Sequence, residues 1–189
     1  MANVNHSALS DPYLHEPKGA STAAAGEVYL ANGAGSGAWT ELSRYVNGYV
    51  AFNAVTPYAY QHSVTTAYTP LNPTFALEAS NGFIASASPN ARLVYTGTES
   101  IVASVNFTIA YKNDSGTLRD FELVFYKNGT VMNGGHIIVS AVSGEWNSAT
   151  LTDLSTLNTN DYIEVFVKGS AAFTLDLASA SLTISGVPN

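Results

Sequence analysis

Between Ile101 and Ser185, apolar and polar residues alternate with period two in one segment after another: IVASVNFTIAYK, RDFELVFYKNGTVM, GGHIIVSAV, DYIEVFVKG and SASLTISG. Each segment is bounded by Gly, Asn, Asp or Ser. A period of two between turn residues is the signature of consecutive antiparallel strands with one face on a core. In the stretch from Ile101 to Ile109 the odd positions are apolar and are expected to point inward. Phe121, Leu123 and Phe125 form a second such row, and Ile163, Val165 and Val167 a third. Asn128-Gly129 predicts a tight hairpin, because both central residues of a type I′ turn need φ > 0.

Two of these strands depart from simple alternation. Behind Phe121, Leu123 and Phe125 lie Glu122, Val124 and Tyr126; behind Ile163, Val165 and Val167 lie Tyr162, Glu164 and Phe166. Large apolar groups on both faces imply that the second face is covered, since contiguous exposed apolar patches mark contacts. Either a loop of the same chain covers it, or it is a seam between subunits. The second reading is the favoured one and makes Val124, Tyr126, Tyr162 and Phe166 the expected subunit interface.

From Tyr45 to Tyr95 the chain is β-like but less regular. Tyr49–Phe52, Thr74–Leu77 and Phe83–Ala85 read as strands, while Pro57, Pro70, Pro73 and Pro89 confine their neighbourhoods to edges and turns. No sustained i, i+3, i+4 stripe or heptad predicts a helix. Roughly eight to ten strands between Tyr45 and Ser185 suffice for an all-β, two-sheet antiparallel jelly-roll sandwich. Residues 43–189 are assigned to that domain.

The first 42 residues differ, with His15-Glu16-Pro17-Lys18-Gly19, Ala23-Ala24-Ala25-Gly26 and Gly33-Ala34-Gly35-Ser36-Gly37 as their punctuation. They hold too few large apolar groups for a core and read as an extended N-terminal arm ordered by what it lies on. Tyr13, Leu14, Val28, Tyr29, Leu30 and Trp39 are the groups able to anchor it.

Composition narrows the function. Of the 189 residues, 11% are charged, well below the roughly 25% of an average soluble domain. Such a surface suits a protein packed against other copies or another large surface. The net charge is −7 with seven scattered Lys and Arg, so nucleic-acid binding by phosphate neutralisation is not expected. The absence of cysteine excludes disulfides, thiolate metal sites and cysteine nucleophiles. No apolar run approaches the length of about 20 residues that spans a membrane. The first residues show neither a basic n-region nor an apolar h-region, which predicts synthesis in a cytoplasm without a secretory address.

The segments Tyr126-Lys127-Asn128-Gly129, Leu151–Leu157, Asn160–Lys168 and Ala180–Ile184 resemble the second half of C1q/TNF-like jelly rolls. The N-terminal segment from His15 to Trp39 resembles one that recurs in head-fibre, capsid-decoration and tail-fibre proteins of tailed phages. The resemblances imply a homotrimeric virion structural protein, of the capsid decoration, cement or head-fibre type. Its partner would be the major capsid protein or another virion shell protein. The anchoring set becomes Tyr13, Leu14, His15, Pro17, Lys18, Val28, Tyr29, Leu30 and Trp39. The alternative is a tail-fibre or receptor-binding tip with affinity for a host-surface glycan.

Searches for reactive chemistry lead to no catalytic residue, cofactor or metal. Gly33-Ala34-Gly35-Ser36-Gly37-Ala38 fits a dinucleotide-binding fingerprint in form, but the stretch from Trp39 to Gly48 is too short and broken for the required helix. His6, His15, His62 and His136 have no metal-like spacing, although a trimer could gather three copies of one on its axis. Asp153, Asp161, Glu164 and Asp176 could supply a carboxylate pair for glycoside hydrolysis, but Asp153 and Asp161 are expected in turns. Tyr58, Tyr60 and Tyr68 with His62 could form an aromatic platform for sugars, or pack at a subunit seam.

Overall fold

The computed structural model describes residues 23–24, 26–31, 37–41, 45–54, 60–86 and 91–188. The chain divides into two compact units, Met1–Arg44 and Tyr45–Asn189. Every described residue in regular structure is in a strand, and no helix occurs among the described residues. The first unit contains one antiparallel hairpin, Glu27–Ala31 (β1) with Gly37–Glu41 (β2). The described part of the segment expected to be an extended arm is therefore a two-stranded sheet. Tyr13, Leu14, His15, Pro17 and Lys18 lie outside the described residues.

The second unit is a sandwich of two antiparallel sheets. The front sheet runs, in spatial order, Trp146–Leu157 (β12), Ile101–Asn113 (β9), Phe173–Pro188 (β14), Val46–Asn53 (β3) and Ala76–Asn81 (β6), with Tyr60–Val64 (β4) also on β14. The back sheet runs Thr130–Ala141 (β11), Arg119–Lys127 (β10), Tyr162–Gly169 (β13), Arg92–Tyr95 (β8) and Phe83–Ala85 (β7), with Thr69–Pro70 (β5) also on β13. Pro70 sits in a two-residue edge piece, where its missing N–H costs no ladder bond.

Alternation in the chain explains the core directly. Ile101, Ala103, Val105, Phe107 and Ile109 face inward from β9, and Phe121, Leu123 and Phe125 from β10. Ile163, Val165 and Val167 face inward from β13, and Leu182 and Ile184 from β14. Burying each large side chain contributes about 1.5–3 kcal/mol. Tyr111 and Phe121 meet edge to face at 4.9 Å, joining the sheets. Gly48 faces inward on β3 because the sheets approach closely there: a Cβ would stand 2.7 Å from that of Phe83.

The β10–β11 hairpin turns at Asn128 (φ 51°) and Gly129 (φ 77°), both left-handed as a type I′ turn requires. Three local expectations change. Asp153 lies inside β12, opposite Val105, not in a turn. Its segment carries Ser and Thr where the other strands carry large groups, so its alternation is weak in sequence. Pairing after Pro73 starts only at Ala76, and the Phe75 ring just before it lies with its centre 6.3 Å from that of Phe52. Twelve strands, β3–β14, are described after Tyr45 rather than eight to ten: β4 and β5 carry too few apolar residues to stand out, and β8, Arg-Leu-Val-Tyr, is only four residues long.

Candidate functional site

Two surfaces answer to the sequence expectations, the hairpin and the outer face of the back sheet; the outer face of the front sheet is a third candidate. In the hairpin, Tyr29 is opposite Trp39 and the rings meet edge to face at 5.5 Å. Val28 and Leu30 point to the other side, opposite Thr40 and Ala38. Glu27 Oε2 accepts a hydrogen bond from the Ala24 N–H at 2.6 Å, fixing the entry to β1. One face is thus aromatic and the other aliphatic, and a lone two-stranded sheet is marginal in water. The fingerprint-like glycines run into β2, a strand, so nothing there supplies the helix N-terminus a pyrophosphate needs.

The back sheet carries the residues expected at the seam. Tyr126 and Phe166 stack at 4.0 Å, and the Tyr68 ring closes on Tyr126 at 5.9 Å. Val124, on β10 opposite Phe166, is 0% exposed within one chain. Tyr68 therefore covers part of this face, as the loop-covered reading has it, and Tyr126, Tyr162 and Phe166 remain half-buried. Charge surrounds them. Glu122 receives the Tyr68 hydroxyl, Lys168 Nζ at 2.7 Å, and His136 Nε2 at 2.5 Å. Arg92 pairs with the buried Glu164 at 2.5 Å and lies 4.2 Å from the Tyr162 ring centre.

Burial alone would push the Glu122 carboxyl up, but hydrogen bonds from Lys168 and Tyr68 and the charges of His136 and Lys168 bring it below its ordinary 4.5. Asp161 behaves likewise: burial raises it, while the Asn158 N–H, Asn128 and Lys127 bring it below 3.8. Both folded values are depressed. Their stabilisation is present above the unfolded values and is lost as pH falls through the folded ones. Thermal unfolding should therefore be level down to about pH 5 and fall below the ordinary carboxylate range. Glu122→Gln should reduce that acid loss by roughly 2–4 °C, the change that about 1 kcal/mol makes in a chain of this size. An unchanged profile in differential scanning calorimetry would mean that the network does not stabilise the fold.

The outer face of the front sheet is of another kind. Across the strands, Ser148, Ala110, Ser179 and Asn53 form one row, and Thr150, Thr108, Ser181 and Ala51 the next. Thr152, Asn106, Thr183 and Tyr49 follow, then Leu154, Ser104, Ser185 and Asn47, then Thr156, Val102 and Val187. None of these positions is charged. Thr108 and Thr150 are hydrogen-bonded at 3.2 Å, and Asn106 donates to Ser104 Oγ at 3.1 Å. At one end Val102, Leu154 and Val187 are 44%, 69% and 52% exposed. From strand spacing and rise, four strands by five rows cover roughly 19 Å by about 30 Å.

The remaining candidates do not converge on a reactive site. His62 is buried, which lowers its pKa, and Tyr60 contacts Phe52 while Tyr68 contacts Tyr126 on the other sheet. No shared sugar platform forms from them; Tyr58, His6 and His15 lie outside the described residues. Asp161 caps a turn, accepting from the Asn158 N–H at 2.8 Å. Glu164 is engaged by Arg92. No helix among the described residues is long and apolar enough to cross a membrane.

No protein-family model matches the chain, and no curated protein matches it in sequence. Solved structures do resemble it. A structure of Eiger TNF from S. frugiperda aligns with a TM-score of 0.53 at 11% identity, covering 77% of this chain and 94% of that one. Murine APRIL at pH 5.0 gives 0.48 at 13%, covering 76% and 99%, and the PRD1 vertex protein P5 gives 0.48 at 14%, covering 76% and 97%. At such identities a likeness speaks of fold alone. The second unit is an all-β, two-sheet antiparallel jelly roll of the TNF-like kind.

Proposed function

We propose that this chain is a phage virion structural protein, a homotrimeric capsid decoration, cement or head-fibre protein without enzymatic activity. Its N-terminal segment attaches it to the major capsid protein or another shell protein. The observation that carries the reading is the charge-free front face on a chain of net charge −7. Like-charged copies repel, so the face without charge is where they can approach at least electrostatic cost. Its area, roughly 600 Å² from the strand geometry, approaches the about 800 Å² per partner of a stable interface. On this reading the seam lies on the front sheet, whereas Tyr126 and Phe166 lie on the back sheet among ion pairs.

The sequence resemblance to phage arms supplies the virion context, and the aromatic hairpin supplies a means of attachment. Three hairpins on one trimer make weak single contacts multivalent. Counting copies per purified particle by quantitative mass spectrometry tests the location. Hundreds of copies are expected for decoration. A handful would favour the tail-fibre or receptor-tip reading with a host-surface glycan as ligand, and none would overturn both.

A further inference from the structure

The row beyond the charge-free face holds the only charged side chains on that side of β9 and β14 among the described residues. Trp146, Lys112, Asp176 and Gln61 lie side by side on β12, β9, β14 and β4. Asp114 comes just past the end of β9, and its loop is pinned by the fully buried Asn113. That side chain donates to Thr117 O at 2.7 Å and Ala141 O at 3.1 Å, and accepts from the Ser115 N–H at 2.8 Å. Lys112 Nζ lies 2.7 Å from Asp114 Oδ2 and 3.6 Å from Asp176 Oδ2.

One ammonium faces two carboxylates, so a negative charge is left over. Asp176 is 4% exposed, and its Oδ1 has no hydrogen-bond partner. The cavity beside it, about 190 Å³, is lined by Gln61, Asp114, Ser115, Thr174 and Asp176. All five side chains offer oxygen, with no sulfur or imidazole among them. Ser115 Oγ is already engaged with Thr117 O and Arg119 Nε, which leaves the two carboxylates, Gln61 and Thr174 as the donor set.

We propose that this cavity is a divalent-cation site, with Asp114 and Asp176 as its anionic ligands and Ca²⁺ as the fitting ion. Oxygen-only donors, a loose geometry and room for water suit Ca²⁺, which takes 6–8 oxygens at about 2.3–2.6 Å. Zinc would look for nitrogen or sulfur. Two carboxylates shared with a lysine place the affinity in the weak range of about 10⁻⁴–10⁻³ M. The ion would tie three segments together, the Asp114 loop, β4 and β14, at one end of the front sheet.

The full-length protein, dialysed against chelator, is titrated with CaCl₂ while thermal unfolding is followed. A saturable rise of roughly 5–10 °C is expected at about a hundred times Kd, with Mg²⁺ much less effective. Asp114→Asn, whose side chain is 54% exposed and which should fold regardless, is expected to lose the response, as is Asp176→Asn. Lys112→Met removes the competing ammonium and should tighten binding several-fold. Terbium gives a second readout. The Trp146 ring centre is 5.4 Å from Lys112 Nζ, so tryptophan-sensitised terbium emission should persist in Trp39→Phe, vanish in Trp146→Phe and fall as Ca²⁺ is added. No thermal response up to about 20 mM Ca²⁺, well above that affinity range, would overturn the site. So would a response kept in the Asp114→Asn/Asp176→Asn double variant, or terbium emission that Ca²⁺ leaves unchanged.

Discussion

A Leu154→Lys variant is expected to sediment as a monomer, and the natural protein as a trimer. Leu154 is 69% exposed in one chain, so an isolated subunit should tolerate lysine within about 0.5 kcal/mol. In the proposed seam the same lysine meets rows of Ser, Thr, Asn and Ala that hold no carboxylate. An unpaired charge buried there costs several kcal/mol per copy, even after relaxation and water penetration. Three copies multiply the effect. Phe166→Lys is the counterpart on the back sheet: it breaks the 4.0 Å stack on Tyr126 and should lower thermal stability while leaving the trimer intact. Analytical ultracentrifugation of the two variants decides. Monomers from Phe166→Lys together with trimers from Leu154→Lys would return the seam to the face named from sequence. Two intact trimers would exclude both faces.

Removing residues 1–44 should leave a soluble, folded trimer that no longer co-sediments with particles. The cut matches the division between the two units. Among the described residues the buried apolar cluster starts at Val46, so the deletion is expected to leave that core folded. Multivalent attachment raises binding by about 10²–10⁴-fold over a single arm, and all of it should vanish. A milder test is Trp39→Ala, which removes the ring facing Tyr29. Losing about 1 kcal/mol in each of three arms weakens attachment on the order of 10²-fold. Retained binding by the truncated protein would move the attachment into the jelly roll.

The parts legible in sequence are those where one residue's chemistry decides its place. Phe107 or Val165 must go inward, and the alternation around each fixes the register of its strand. Asn128-Gly129 is readable because few residues other than Gly and Asn accept φ > 0 readily. The candidate surfaces are harder. A strand reading Ser-x-Thr-x-Thr looks like any solvated face until register lines it up with three others of the same kind. Val124 lies on a second apolar face that the sequence marks, and the Tyr68 ring that packs on Tyr126 of that face comes from 58 positions earlier in the chain. Asp176 gives no hint of Asp114 or Gln61, since only the pairing of β14 with β9 and β4 brings them together. The hairpin is hidden by its Gly-rich surroundings, although Tyr29 and Trp39 stand out as anchor candidates.

The placement of β14 between β9 and β3 has a kinetic meaning. It is the last strand of the described chain, and it pairs with β3, which precedes it by more than a hundred residues, and with β9. Contacts so distant along the chain close large loops before they yield any stabilisation, which puts folding in the slow, millisecond-to-second range of β topologies. Until β14 docks, β3 and β9 are bare edges, and a bare edge accepts any strand of the right register. In the proposed trimer, as it forms, the nearest such strand is the β14 of a neighbour. Assembly at high concentration therefore invites exchange of this strand between copies, and refolding yield should decline as protein concentration rises.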